Sequence, residues 1–446
     1  MIPIYLLWLA VFGFGGGLLF GMENHKNPKP PRELLNVKAQ GFVFGEYHQF
    51  LRKSQYFCKP EQTDGHILIV GGAGSGKSTG LAIPSLRAWQ QRIFAIDIKG
   101  ELSAATTDKP AMRKVFNPIQ PDSWGYDPYY LLHHSDNPAQ AAKEIAAAII
   151  PEPANVKDPF WVQAAQNLLT GFLLHFHHNG YSFVDTIAEI FNEPVAYYVD
   201  VIFKHTTNKA AKVHMSQFVG MEGKTLAGIF SELSNHITLF TTDEYIKAAL
   251  SKENTICPDD LENGFDVFLS IPEDKLDQWK PLFTLITNQF LKHFERRPDK
   301  NATPILFLLD EFPRLGKIES IATGLTTLRS KKITIALIIQ SLAQLDCLYG
   351  HDQRRVILDN CSYKAILGAQ DAETQEYFSR LVGTKEATRQ GESTSYTPDR
   401  DEERGYTVSQ HVIDRRIIQP HEFATLGDVV LLTPWGYCRA GKIRPT

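Results

Sequence analysis

The sequence predicts an α/β fold: a mostly parallel sheet, an all-α domain inserted into it, and an N-terminal transmembrane helix ahead of both. Three observations predict it. Short apolar runs at residues 66–70, 93–96, 305–309 and 333–339 are followed by Gly71, Asp97, Asp310 and Gln340, with helical stretches between them. Strand, helix, strand in that order builds a parallel sheet. An alanine- and leucine-rich stretch with 3.6-residue spacing dominates residues 136–250. The first 22 residues, MIPIYLLWLAVFGFGGGLLFGM, carry no charge, and about 20 apolar residues span a bilayer as a helix.

The chain has 446 residues, enough for two or three domains with cores of their own. It is 43% hydrophobic and 22% charged, as a folded globular protein should be. A formal net charge of −4 does not support a generally basic nucleic-acid binder, and leaves a local basic patch or pore open. Cys58, Cys257, Cys347, Cys361 and Cys438 are scattered, with no CxxC. Reduced thiols follow from that pattern more readily than a disulfide framework or a zinc site.

Residues 1–22 read as a membrane anchor rather than a cleaved signal peptide, because no basic region precedes the apolar run. Glycines in GFGGG suit close helix contact in a membrane better than a soluble helix. Lys26, Lys29, Arg32 and Lys38 follow. That positive flank places the rest of the chain in the cytoplasm. Residues 23–40 form a proline-rich linker. Residues 41–135 then start the α/β domain, with one or two strands over residues 41–58.

GGAGSGKST supplies Gly71, Gly72, Ala73, Gly74, Ser75, Gly76, Lys77, Ser78 and Thr79. Strand before and helix after make this a phosphate-binding loop. Glycines let the backbone come close enough for amide N–H groups to meet phosphate oxygens. The helix start adds its positive dipole end. Lys77 can reach the β- and γ-phosphates, and the Ser78 hydroxyl can ligate Mg²⁺. Pro84 should kink or shorten that helix.

The strand at 93–96 ends at Asp97, followed by Lys99. Both fall at the ligand-binding end of a parallel sheet, although Asp97 can equally cap the next helix. One more strand is expected at 114–116. Residues 136–250 form the inserted all-α domain, in which Asp158-Pro159 starts a helix. His175, His177 and His178 lack ligand-spaced partners and read as polar helix residues. Lys204, Lys209, Lys212 and Lys224 read as a solvated face. Residues 251–446 complete the nucleotide-binding domain, starting with a strand at 264–272 and a helix after it.

The run PILFLL ends in Asp310 and Glu311. An acid there can hold Mg²⁺, and the adjacent glutamate can orient and deprotonate an attacking water. Gln340, ending the 333–339 strand, can contact the γ-phosphate or that water. Further strands are expected near 363–371, 428–434 and 436–443. Residues 386–404 are polar and read as a mobile loop or hairpin.

Assembled, these residues resemble the TraG/TraD family of type IV secretion coupling proteins. The resemblance rests on the loop, DIKGEL, FNPIQPDSWGYDP, DPFWVQAAQNLL, DEFPRLGKIESI, IIQSLAQLDCLYG and RRIIQPHEFATLGDVVLL, in family order from about residue 40 to the end. It implies a RecA-like P-loop ATPase, using ATP and Mg²⁺. The family resemblance implies a homohexameric ring at the bacterial inner membrane. Such a ring delivers relaxase-bound single-stranded DNA, protein effectors, or both to type IV secretion channel proteins. Carried over by position, Lys77, Glu311 and Gln340 are catalytic, and Ser78 and Asp310 hold the metal. Ile98 stands where the family often has proline. One apparent span, where relatives often have two, puts periplasmic contacts in question. No long acidic tail follows Thr446, so cargo recruitment should use another element.

A basic residue from a neighbouring subunit would complete the site, with Arg354, Arg355 and Arg380 as candidates. The run Arg329-Ser330-Lys331-Lys332 is one place for a cargo-contacting loop, or a solvated basic turn. Two other functions share these motifs: a double-stranded DNA translocase of the FtsK/HerA type, and a non-motor membrane docking receptor with structural nucleotide. The helical insert and DPFW favour a coupling protein over the first, and Glu311 speaks against the second.

Overall fold

The computed structural model describes residues 31–48, 54–154, 158–299, 302–395 and 405–443. The expected anchor at 1–22, the start of the linker, and residues 396–404 lie outside them. Among the described residues no helix is long and apolar enough to cross a membrane.

A nine-stranded sheet organises the described chain. The chain enters through an antiparallel pair, β1 (Phe42–Tyr47) and β2 (Gln55–Lys59), extended by two residues at Leu35–Asn36. The large sheet takes β3 (Ile67–Val70), β4 (Arg92–Ile98), β5 (Met112–Phe116), β6 (Phe265–Ile271), β7 (Ile305–Leu309), β8 (Ile333–Ile339) and β9 (Tyr363–Ile366). After the hairpin β10 (Thr384–Ser395) and β11 (Gly405–Arg416), it adds β12 (Val429–Thr433) and β13 (Gly436–Ala440). Spatial order is β13-β12-β9-β3-β8-β7-β4-β6-β5. The seven strands from β9 to β5 run parallel; β12 and β13 close one edge antiparallel.

Why these residues pair this way is visible in their burial. Ile67, Leu68, Ile69 and Val70 are all buried, as are all five residues of β7 and all seven of β8. A central parallel strand is covered on both faces and so reads as a continuous apolar run. Alternate residues feed two cores. Leu68, Val70, Phe307, Leu309, Leu337 and Ile339 point into one. Ile67, Ile69, Leu306, Leu308, Ala336 and Ile338 point into the other.

The second core is covered by α1 (Ile83–Ala88) and by β1 and β2. The first is covered by α9 (Leu276–Glu295), α10 (Ile321–Thr327), α11 (Leu342–Asn360) and α12 (Ala372–Val382). Between β5 and β6 the chain runs through α2 (Pro138–Ile149), α3 (Phe160–His178), α4 (Phe183–Ile190), α5 (Val195–His205), α6 (Lys209–Ser216), α7 (Gly223–Ile237) and α8 (Glu244–Leu250). Their starts follow local chemistry: Asn137, Ser182, Asn208 and Asp243 each accept a hydrogen bond from the backbone three residues on. Asp158 accepts from Phe160 N at the entry to α3. Apolar faces of these helices join the first core without a break, so the helical segment leans on the sheet through α2 and α9.

Candidate active site

Three central strands deliver the site at their carboxyl ends. β3 ends at Val70, and Gly71 N donates to Ile339 O at 3.1 Å, tying the loop to the end of β8. Gly74 and Gly76 have φ of 71° and 90°, a conformation that favours glycine. A Cβ on Gly71 would fall 2.3 Å from Ser75 Oγ. The loop is therefore drawn tight around an interior lined by backbone. Ser75 Oγ itself is buried without a hydrogen-bond partner. A buried hydroxyl left unpaired is costly, and a phosphate oxygen would satisfy it. The residues present fit a bound phosphate chain.

Lys77 is 6% exposed, and its Nζ donates to Gly71 O at 2.8 Å and Gly72 O at 3.1 Å. The helix begins one residue later. Ser78–Ala82 form a wide π-helical turn before α1. Pro84 explains the widening: it has no N–H to donate, and its ring crowds the carbonyl four residues back.

Ser78 Oγ donates to Asp310 Oδ2 at 3.4 Å. These two oxygens, one from the loop and one from the end of β7, fit a divalent cation that prefers oxygen ligands. Burial pushes the Asp310 carboxyl up to about 6, and the charge of Glu311 adds to it. Glu311 N donates to Asp310 Oδ1 at 2.9 Å. Glu311 sits in the left-handed region, φ 45° and ψ 40°. That strained backbone turns its carboxylate to 3.8 Å from Lys77 Nζ. Gln340 Nε2 donates to Glu311 Oε2 at 3.0 Å, and Gln340 N donates to Gln344 Oε1 at 2.9 Å. The amide thus fixes the glutamate's direction. Lys77, Ser78, Asp310, Glu311 and Gln340 line one cavity of about 390 Å³ together with loop residues 73–76 and Thr79, while Gly71 and Gly72 lie behind it.

The residues expected from sequence therefore converge, with one open question decided. Asp97 is buried and accepts from Leu102 N at 3.0 Å and Ser103 N at 2.8 Å. It caps the turn Glu101–Ala104. Lys99, at φ 87°, does line the cavity. Sequence reasoning missed Glu273 and Arg314, which line it too. Glu273 lies two residues past β6 and Arg314 three past Glu311, so position after a strand end was the available signal.

Three groups singled out earlier lie elsewhere. Arg354 is buried and held by Asp346 and by Glu373, the latter at 2.7 Å. Arg380 pairs with Glu376 on α12. The basic run 329–332 precedes β8, at the amino ends of the strands, opposite the site. There Lys331 pairs with Asp299 and Lys332 with Asp64. His175 and His178 bond Thr206 and Thr207, and His177 packs against Tyr129 and His133.

Comparison with known proteins adds to this geometry. A family model described as "Type IV secretory system Conjugative DNA transfer" matches residues 25–432. Protein VirD4 of Rhizobium rhizogenes is 28% identical, over 91% of this chain and 62% of its own length. A conjugal transfer protein TraG of Escherichia coli is 26% identical, over 74% of this chain and 57% of its own. The chain thus spans about three-fifths of the length of the curated relatives it matches. Solved structures share the fold. The plasmid coupling protein TrwB in complex with the non-hydrolysable ATP analogue ADPNP has a TM-score of 0.71 at 17% identity, covering 92% of this chain and 90% of its own. TrwB with ADP and Mg²⁺ has a TM-score of 0.68 at 18% identity, covering 92% and 89%.

Proposed function

The chain belongs to the type IV secretory system conjugative DNA transfer family, and from that premise we propose that it is a coupling ATPase. In this reading it binds ATP and Mg²⁺ at residues 71–79 and Asp310. Hydrolysis drives delivery of relaxase-bound DNA, or of protein substrates, to a type IV secretion channel. The observation that carries the reading is the convergence of Lys77, Ser78, Asp310, Glu311 and Gln340 on one cavity. Residues 1–22 would anchor a homohexameric ring in the bacterial inner membrane, with the all-α domain at 136–250 turned toward cargo. No observation favours the double-stranded translocase or the non-motor receptor.

Each residue's part follows from its contacts. Lys77 exchanges the Gly71 and Gly72 carbonyls for β- and γ-phosphate oxygens, a stronger, charge-assisted pairing. Ser75 Oγ and the loop amides complete the cradle. Mg²⁺, when bound, would be held by Ser78 and Asp310 and would neutralise phosphate charge. Glu311 orients the attacking water and takes its proton. Gln340 holds Glu311 in place and carries any change there to Gln344 on α11.

The test follows ATP hydrolysis by the purified, detergent-solubilised chain with no DNA, single-stranded DNA or double-stranded DNA, across a salt series. Stimulation by single strands that fades with salt supports DNA delivery. Stimulation by double strands alone would replace it with a duplex translocase. Robust turnover indifferent to DNA would point to protein cargo. Glu311→Gln should lower turnover by about 100-fold or more while keeping nucleotide bound; unchanged turnover would remove Glu311 from its role.

A further inference from the structure

We propose that Arg314 is a catalytic residue acting in cis: with a nucleoside triphosphate in the loop, its guanidinium leaves Glu273 and takes the γ-phosphate oxygens. This rests on the nucleotide reading above and names a residue that reading lacks.

Four observations carry it. First, Arg314 lines the cavity that holds Lys77, Ser78, Glu311 and Gln340, and among the described residues it is the one arginine that does. Second, it shares a rigid turn with Glu311. Arg314 N donates to Glu311 O at 2.8 Å, and Leu315 O accepts from Thr284 Oγ1 at 2.7 Å. Gly316, at φ 83°, closes the turn Phe312–Leu315. The backbone of the arginine is therefore fixed relative to that of the glutamate.

Third, Arg314 is held in a way that is easily undone. Its Nη1 donates to Glu273 Oε1 at 3.0 Å, and Lys99 Nζ lies 3.5 Å from the other oxygen. The Glu273 side chain is 51% exposed. One half-exposed carboxylate shared by two cations is a weak partner for either. A triphosphate in the same cavity carries more charge and offers a bidentate match to a guanidinium. Fourth, none of the arginines named from sequence lines this cavity: Arg354 is enclosed by two carboxylates, Arg380 is paired on α12, and Arg355 is exposed on α11.

The chemistry gains from a protein cation beyond Lys77 and the metal. Water attacks the γ-phosphorus, and the bond to the β–γ bridging oxygen breaks. ADP leaves with that electron pair, and the water's proton passes to Glu311. Charge spreads over the γ-oxygens and the bridging oxygen as the bond lengthens. Lys77 meets part of it. Arg314, approaching from the β4–β6 side, meets the rest.

The experiment compares the full chain with Arg314→Ala, Arg314→Lys and Glu273→Gln. Turnover, affinity for a fluorescent ATP analogue and melting temperature are measured for each. Arg314→Ala should lower kcat by about 100-fold or more with affinity within about threefold. Arg314→Lys should recover part of that loss, and added guanidinium should partly restore the alanine variant. Glu273→Gln should keep turnover well above that of Arg314→Ala, because it frees the arginine. A merely structural ion pair predicts the opposite, with Glu273→Gln and Arg314→Ala falling together. That outcome, or full turnover in Arg314→Ala, overturns the proposal. Should Arg314→Ala fail to fold, the lysine and glutamine variants still divide the two cases. A wild-type chain that binds no nucleotide would remove the site reading itself, whereas bound nucleotide with an indifferent Arg314 overturns this proposal alone.

Discussion

Asp97 shows how one residue's contacts decide its role. Both its carboxylate oxygens are occupied by the amides of Leu102 and Ser103. Asp97→Ala should therefore cost about 1–2 kcal/mol of stability and leave nucleotide affinity unchanged, which urea denaturation and a binding titration check. Lys59 offers a pH signature. It is wholly buried, its Nζ donating to Thr63 O and, at 3.0 Å, to Thr334 Oγ1. Burial lowers its pKa from 10.5 to about 7. Between those values the unfolded chain holds a proton that the folded chain lacks. Stability should then rise as pH goes from about 7 toward 10.5, and be flat with respect to this group outside that window. Lys59→Met should abolish its share of the rise, at most about 1.4 kcal/mol per pH unit, in denaturation curves across that range. The loop, Asp310, Glu311 and Gln340 were legible in sequence because each chemical need is met within a few residues of a strand end. Glu273 and Arg314 were not, because they meet only once β6, β4 and β7 lie side by side.

At the scale of elements, the buried strands announced themselves, since burial on both faces forces unbroken apolar runs such as ILFLL and ITIALII. The helix after the loop is short, as Pro84 led the sequence to suggest, and opens with a π-helical turn that sequence did not specify. The polar stretch 386–404 was expected as a loop or hairpin, and the hairpin's strands extend beyond it, to Thr384 and Arg416. At the hairpin's base, Ile417 N donates to Gly383 O at 3.1 Å and Arg416 pairs with Glu376. Thr384 and Arg416 face each other across the ladder. Replacing residues 385–415 with Asn-Gly should consequently keep the sheet folded, with a melting temperature within a few degrees of wild type. A large drop would show that the hairpin holds the core.

For the whole molecule, the sequence revealed that a helical segment interrupts the sheet but not the order of strands, because order is set by pairings between distant residues. β3 lies between β8 and β9, and β6 lies between β4 and β5. This arrangement has a consequence for synthesis. Both hydrogen-bonding edges of β3 wait for strands encoded about 260 residues downstream or more. At typical elongation rates of roughly 5–20 residues per second, that is a delay on the order of 10–50 s. During it, Ile67, Leu68, Ile69 and Val70 remain without their native neighbours, with the glycine loop attached. The glycine loop, early in the sequence, thus hangs from a strand whose two neighbours are made late. A nascent chain must be shielded over that interval, because an unpaired apolar strand is open to aggregation.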